Sequence, residues 1–569
     1  MSARRFAWWL AGLWGLAVLL ALAGLGGLPL RDWDEGIAAR VALELAQRPW
    51  PEVLLPTYWG EPYLNKPPGL HALIALCIQL WRRLSGSGPE ALPPEAVVRL
   101  VPALLSTLVV PLGALIQRQL RPNDRGSALA TAAILLSLLP LARHGRLAML
   151  DGSQLSAIAL LWWCLLRSRG PGPSWRPGLE AGLAGSALLL LKAPLLLPPL
   201  TAGLLGLTLD PGFLRRRWPL LLVALAAGLL PGLAWHGWHG WMRGELALRL
   251  WLGDGAGRVL LQAGEGSDLR WRLPLLELLK GGWPWLPLWP FGLALAWRER
   301  QRASGRWGLV LQGVMAAAIL PLRTQLPWYS HPLWLPFALL CAPVLRWLLQ
   351  PWPASEGPAP PRQRWLLALP WLWMALGALL LTAAAASLLP QLGPLDALGD
   401  PADPADLAAA RPLLLATGAG WLLGGLLLRS PAAPNRLRRR RLGAAALLAG
   451  NLLALLLLLS GPLWLWELRE TWPAPPLAAL VRQHAATGPI WIQGQAERPS
   501  LNWYAGERIR RLRSSSLKRL ASADAPPQWR LLSRSRTPGE RAAALADCRL
   551  QGGAEGWWLL RCDRAQQLP

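Results

Sequence analysis

Lysine is scarce in this chain of 569 residues: only Lys66, Lys192, Lys280 and Lys518 stand among its 58 basic side chains. Where arginine is the default cation, a compact ammonium marks a position that wants a point charge, and Lys66 and Lys192 are the strongest such candidates. The five cysteines form no C-x-x-C pair, which excludes a cysteine metal site. Cys77, Cys164 and Cys341 lie in apolar stretches as small core residues. Cys548 and Cys562 share the tail, and would form a disulfide if that tail sits in an oxidising compartment. A Walker loop and a G-x-G-x-x-G fingerprint are both missing, and the glycine-rich run ending at Arg258 leads into no clear helix start. A nucleotide-bound donor is therefore not expected.

Apolar runs are abundant. The windows 6–30, 218–235, 365–389 and 442–466 approach or exceed the roughly 20 residues that cross a bilayer core. Residues 1–30 exceed a signal-peptide core of about 7–15 residues and are read as an uncleaved first span. The net charge of +26 is spread over short loops rather than one basic domain, which fits positive-inside topology and anionic lipid better than nucleic acid. With the N-terminus inside, about thirteen crossings place arginine clusters at 118–125, 167–176, 215–217, 298–306, 362–364 and 436–441 on the cytoplasmic side. An odd number of spans puts the tail outside. The expected fold class is thus an all-α polytopic membrane protein, with a transmembrane domain over 1–466, its first outer loop over 31–97, and a small extracytoplasmic α/β domain over 467–569. Short strands are expected at 490–493 and 556–560, and 351–361 reads as a Pro-rich cytoplasmic linker.

The candidate chemistry gathers at span ends on the outer side. Asp34 and Glu35 precede Ile37, Val41 and Leu45, one face of an amphipathic surface helix; the plain alternative is that Asp32 or Asp34 is a helix cap. Tyr63 and Lys66 share a Pro-bounded turn before an apolar run, although a lysine there can also simply snorkel. Asp151 opens the span after Arg146, where a carboxylate is either functional or a salt-bridge staple to Arg146 or Arg143. Tyr329 and His331 cluster in the turn 323–332; an aromatic belt explains the tyrosine, and His331 reads as a hydrogen-bonded interfacial histidine rather than a metal ligand. No metal or cofactor is expected, since no ligand cluster supports one.

These parts suit sugar transfer from a polyprenyl-phosphate lipid, because the leaving phosphate gains negative charge that preorganised cations would stabilise. Asp34, Glu35 and Asp151 are the catalytic candidates, Lys66, Lys192, Arg146 and Arg258 the donor-phosphate ligands, and Tyr63, Tyr329 and His331 the pocket lining.

The same residues resemble the GT-C glycosyltransferases, the family that includes the bacterial lipid A aminoarabinose transferases and the protein O-mannosyltransferases. The similar elements are Asp34-Glu35, Gly60-Glu61-Pro62-Tyr63 with Lys66-Pro67-Pro68, Arg146 to Asp151, Leu191-Lys192, Pro284-Trp285, Gln325 to Tyr329, and Arg498 to Gly506. The resemblance spans nearly the whole chain. It implies thirteen spans, an outer C-terminal domain, a polyprenyl-phosphate-sugar donor, Asp34 at the catalytic centre, Lys66 and Lys192 near the donor phosphate, and a lipid or cell-envelope glycan acceptor in the inner membrane. Asn65 departs from the acidic residue often found there, and 249–270 lacks the histidine the pattern would carry. Protein O-mannosylation and, outside the enzyme class, a transporter or flippase of lipid-linked sugars stay open as alternatives.

Overall fold

Runs of leucine and alanine in lipid must satisfy every backbone N–H and C=O internally, so they fold as helices. The computed structural model describes residues 1–49, 51–250, 257, 269, 271–350, 361–388, 404–429, 436–464, 474–484, 488–493, 496–512, 528–533 and 548–562. Among these, eight stretches are long and apolar enough to cross a membrane, among them Ala3–Leu22, Glu95–Leu120, Trp175–Thr208, Pro327–Leu348 and Leu437–Ser460.

Several crossings expected from the sequence fall on rods that miss that measure. Arg125–Ser137 is apolar but short, and Leu150–Arg167 is long enough but carries polar groups at its ends. Two further expected crossings form one 34-residue rod, Trp175–Thr208, broken at Lys192 by the 3-10 turn Ala193–Leu196.

The buried indoles show how the bundle tolerates polar groups. Trp162 donates to the Pro199 carbonyl at 2.8 Å, Trp285 to Ser137 Oγ at 2.8 Å, Trp307 to Asp210 Oδ2 at 2.7 Å and Trp373 to the Pro284 carbonyl at 2.9 Å. Each of these four large apolar bodies is inside with its one donor satisfied, whereas the buried Trp334 N–H has no hydrogen-bond partner among the described residues.

After the first span the chain folds into the helix Asp34–Leu45, a two-stranded hairpin of β1 (Thr57–Tyr58) and β2 (Glu61–Pro62), and the helix Gly69–Ser85. The tail is an α/β unit. Strands β3 (Ile490–Gln493), β4 (Arg510–Leu512), β5 (Gln528–Ser533), β6 (Arg549–Ala554) and β7 (Trp557–Cys562) order as β4-β3-β5-β7-β6. β3 runs parallel to both neighbours, and the helix Pro499–Ala505 lies in the β3-to-β4 connection. β7 runs antiparallel to β5 and β6, and a Cys548–Cys562 disulfide closes the open end of the β6–β7 hairpin. The expected domain boundary at 466/467 and the linker over 351–360 lie outside the described residues.

Candidate active site at the span ends

The segment between the first span and the helix Asp34–Leu45 turns through Trp33, whose φ of 62° and ψ of −90° are rare for a residue with a side chain. Such a conformation costs about 1–3 kcal/mol and persists only where the surroundings impose it. Asp32, fully buried, accepts from the Trp33 amide at 3.0 Å, from the Ser500 amide at 3.1 Å and hydroxyl at 3.0 Å, and pairs with Arg498 at 2.8 Å. Asp32 therefore does not cap the helix Asp34–Leu45 by its side chain; it caps Pro499–Ala505 in the tail.

Glu35, also fully buried, accepts from Arg99 Nε at 2.8 Å and Nη2 at 2.7 Å, from the Arg31 amide at 2.7 Å and from the Ala148 amide at 2.8 Å. Burial would lift its carboxyl, but Arg99 and the two amides hold it below the usual carboxylate range. Arg99 in turn donates to the carbonyls of Leu25, Leu28 and Pro29. Glu35 was expected among the catalytic groups. With both oxygens occupied and no solvent access, it works as a strut between the helix Asp34–Leu45, the helix Glu95–Thr107 and the turn at Ala148.

Asp34 faces elsewhere. Its charge neighbours are Lys66, Asp151, Arg31 and Lys192, and Asp151 in turn has Lys192, Lys66 and Arg31. Four separate segments thus deliver three cations and two carboxylates to one place. Gly69 explains part of this meeting. A Cβ there would fall 2.6 Å from the Leu190 carbonyl oxygen, so glycine lets the Lys66-Pro67-Pro68 turn lie directly on the chain two residues before Lys192. Lys192 lies 4.7 Å from the Tyr329 ring centre, and the Arg31 guanidinium lies 4.7 Å over Trp328.

Exposure divides the residues gathered here into two groups. Asp34, Lys66, Asp151, Lys192 and Tyr329 each keep partial access, whereas Arg31, Asp32, Glu35, Tyr63 and His331 beside them are buried. Burial lifts the Asp34 carboxyl above its ordinary value, and Asp151 adds to the rise that Lys66, Arg31 and Lys192 oppose. Tyr63 sits behind Asp34 with its ring 6.4 Å from Tyr58, its phenol pushed up by burial and then by Asp34. The arrangement offers net positive charge to an anionic group, with carboxylates beside it.

Other expected members sit apart. Arg146 is buried, donates to the carbonyls of Leu459 at 3.1 Å and Ala23 at 2.5 Å, and lies 4.5 Å over the Trp464 ring. It ties spans together, not to Asp151. His331 is sealed, its Nε2 3.2 Å from His144 Nδ1. Arg258 lies outside the described residues. Among the described residues no three His, Cys, Asp or Glu side chains gather as metal ligands. The sequence reading passed over Arg31 as a site cation, although an arginine immediately before an acidic run was a usable signal. It also gave no hint of Arg99 as the partner of Glu35, or of Asp32 as the anchor of the tail.

No family model matches this sequence, and no curated protein matches it. Two solved structures of ArnT from Cupriavidus metallidurans are similar to it. The one bound to undecaprenyl phosphate shows 17% identity and a TM-score of 0.69, and the apo form 16% and 0.70, each match covering 98% of both chains. Over nearly its whole length the chain has the fold of ArnT.

Proposed function

We propose that this protein is an integral-membrane glycosyltransferase that moves a sugar from a polyprenyl-phosphate donor to a lipid or cell-envelope glycan acceptor on the extracytoplasmic face of the inner membrane. The single observation that carries the reading is the meeting of Asp34 and Asp151 with Lys66, Lys192 and Arg31 in one partly accessible cluster. The likeness in fold to a protein solved with undecaprenyl phosphate bound supports it.

In this reading the acceptor hydroxyl oxygen forms a bond to the anomeric carbon as the bond from that carbon to the phosphate oxygen breaks. The hydroxyl proton passes to Asp34, and the bonding pair leaves with the phosphate, whose charge grows from −1 toward −2. Lys66, Lys192 and Arg31 take up that charge; an ammonium about 4 Å away contributes a Coulomb term on the order of 4 kcal/mol before desolvation is subtracted. Asp151 holds the two lysines in register, and Tyr63 and Tyr329 line the sugar site. The membrane part corresponds to 1–466 and the outer domain to 467–569. The Cys548–Cys562 disulfide supports an outer placement, because such bonds persist in oxidising compartments.

The test is lipid and glycan mass spectrometry of a strain lacking the gene, complemented with the wild-type chain, Asp34→Asn or Lys66→Ala. A hexose, pentose or amino-sugar mass should vanish on deletion, return with the wild type and stay absent with either variant. An unchanged set of glycan and lipid masses on deletion sinks the reading.

A further inference from the structure

The helix Pro499–Ala505 belongs to the outer domain, yet it grips the chain on both sides of Asp34. Before Asp34, Tyr504 Oη accepts from the Leu30 amide at 2.7 Å and donates to Glu95 at 2.7 Å, while Asp32 takes the Ser500 amide and hydroxyl and the Arg498 guanidinium. After it, Gly36 lies so close to the same helix that a Cβ would fall 2.5 Å from the Ser500 nitrogen. Trp503 from this helix is buried in one cluster with Leu150 and Leu191, the neighbours of Asp151 and Lys192. The Asp32 oxygen that receives Ser500 also receives the amide of Trp33, the residue held at positive φ next to Asp34.

We infer that Asp32, clamped by Arg498 and Ser500, is a positioning residue through which the outer domain sets the direction of Asp34. It touches no substrate. The bond from Asp32 to the Trp33 amide fixes the turn that starts the outer helix, and that turn decides whether the Asp34 carboxylate points at the lysines. The outer domain is therefore part of the transfer machinery. This inference rests on Asp34 being the residue beside the reacting sugar.

The experiment uses the full-length chain with Asp32→Asn, Arg498→Ala and Arg498→Lys. Amide hydrogen exchange in detergent micelles should rise about tenfold over residues 30–45 in Asp32→Asn and Arg498→Ala while residues 95–120 keep wild-type protection. Binding of undecaprenyl phosphate, read by native mass spectrometry, should stay within about twofold of wild type, because Lys66, Lys192 and Arg31 remain. In the complemented deletion strain the sugar-bearing mass should fall about tenfold, and Arg498→Lys should recover most of what Arg498→Ala loses, since a cation is restored opposite Asp32. Wild-type exchange over 30–45 in both disruptive variants overturns the inference. So does a loss of transfer that runs in parallel with lost undecaprenyl phosphate binding or with exchange raised throughout the protein, since a merely structural role predicts that. If Asp34→Asn itself leaves the sugar mass intact, the functional reading fails, while the exchange at 30–45 still decides whether Asp32 holds the turn.

Discussion

Asp34 and Glu35 are neighbours in the first turn of one helix, carry the same functional group, and end in two different polar networks. Glu35 enters a sealed one, where Arg99 and two backbone amides take its oxygens and Arg99 spends its remaining donors on carbonyls at the end of the first span. Asp34 enters an open one, where lysines and a second carboxylate keep partial access. Consecutive residues on a helix point about 100° apart, so one turn can serve both. The sealed network fixes where the open one stands, and the proposed admission of an anionic lipid headgroup needs both.

Exchanging the roles of the two carboxylates would break this comparison most sharply. Asp34→Asn should reduce sugar transfer by about 10²- to 10⁴-fold, the range general-base catalysis supplies, with thermal unfolding in detergent unchanged. Glu35→Gln should do the reverse to stability. It leaves Arg99 as a buried, uncompensated charge, which costs about 3–5 kcal/mol, visible as a lowered unfolding temperature even without substrate. Equal stability losses in the two variants would mean that Asp34 is also structural.

Removing one open-network cation comes next. Lys66→Ala or Lys192→Ala should each lower the transfer rate about 10²- to 10³-fold, as loss of one preorganised charge donor does elsewhere. Arg146→Lys should have a much smaller effect, because Arg146 donates to Leu459 and Ala23 and lies away from the lysines. A loss for Arg146→Lys as large as for the lysine variants would merge the two networks.

What was legible in the sequence follows the same division. The open network could be read because its members are conspicuous where they stand: a rare lysine in a Pro-bounded turn, another at a span break, carboxylates at the starts of helices. The sealed network could not. Arg99 is one arginine among many, and its pairing with Glu35 depends on how Glu95–Thr107 packs across 64 positions of chain, which no local pattern records. Arg146 was misplaced for a related reason, since proximity in sequence to Asp151 says nothing about which way a residue in a tight turn faces. The α/β unit of the tail was legible from its change of composition, and β3 falls where expected, but the grip of Pro499–Ala505 on Asp32 is a tertiary contact between residues 468 positions apart.

The pH dependence sharpens the picture at a smaller scale. Burial raises the Asp34 carboxyl, so the base form is lost at a higher pH than for a free carboxylate. Transfer should fall on the acid side as pH drops through that raised value. Lys66 lowers it, so in Lys66→Ala the acid limb of the residual activity should move to higher pH. A shift toward lower pH would mean that the titrating group is not Asp34.

The smallest effect on transfer is expected far from both networks. Cys548 and Cys562 pack with Leu532 and Leu560, while Leu501 of the docking helix belongs to a separate cluster with Ile490, Leu531 and Leu559. The disulfide and the helix that holds Asp32 therefore do not share a core. Cys548→Ser should leave sugar transfer within about twofold, because sites without shared partners act independently. It should nonetheless lower the stability of the tail's α/β unit by about 3 kcal/mol, the loop-closure value for a loop of this length, read as faster proteolysis between 548 and 562. The same pair reports on topology. In intact wild-type cells both thiols should resist alkylation until a reductant is added, since the bond forms only where the tail meets an oxidising compartment. Ready alkylation without reductant would move the tail to the cytoplasmic side, and with it Asp34, which the tail holds through Asp32.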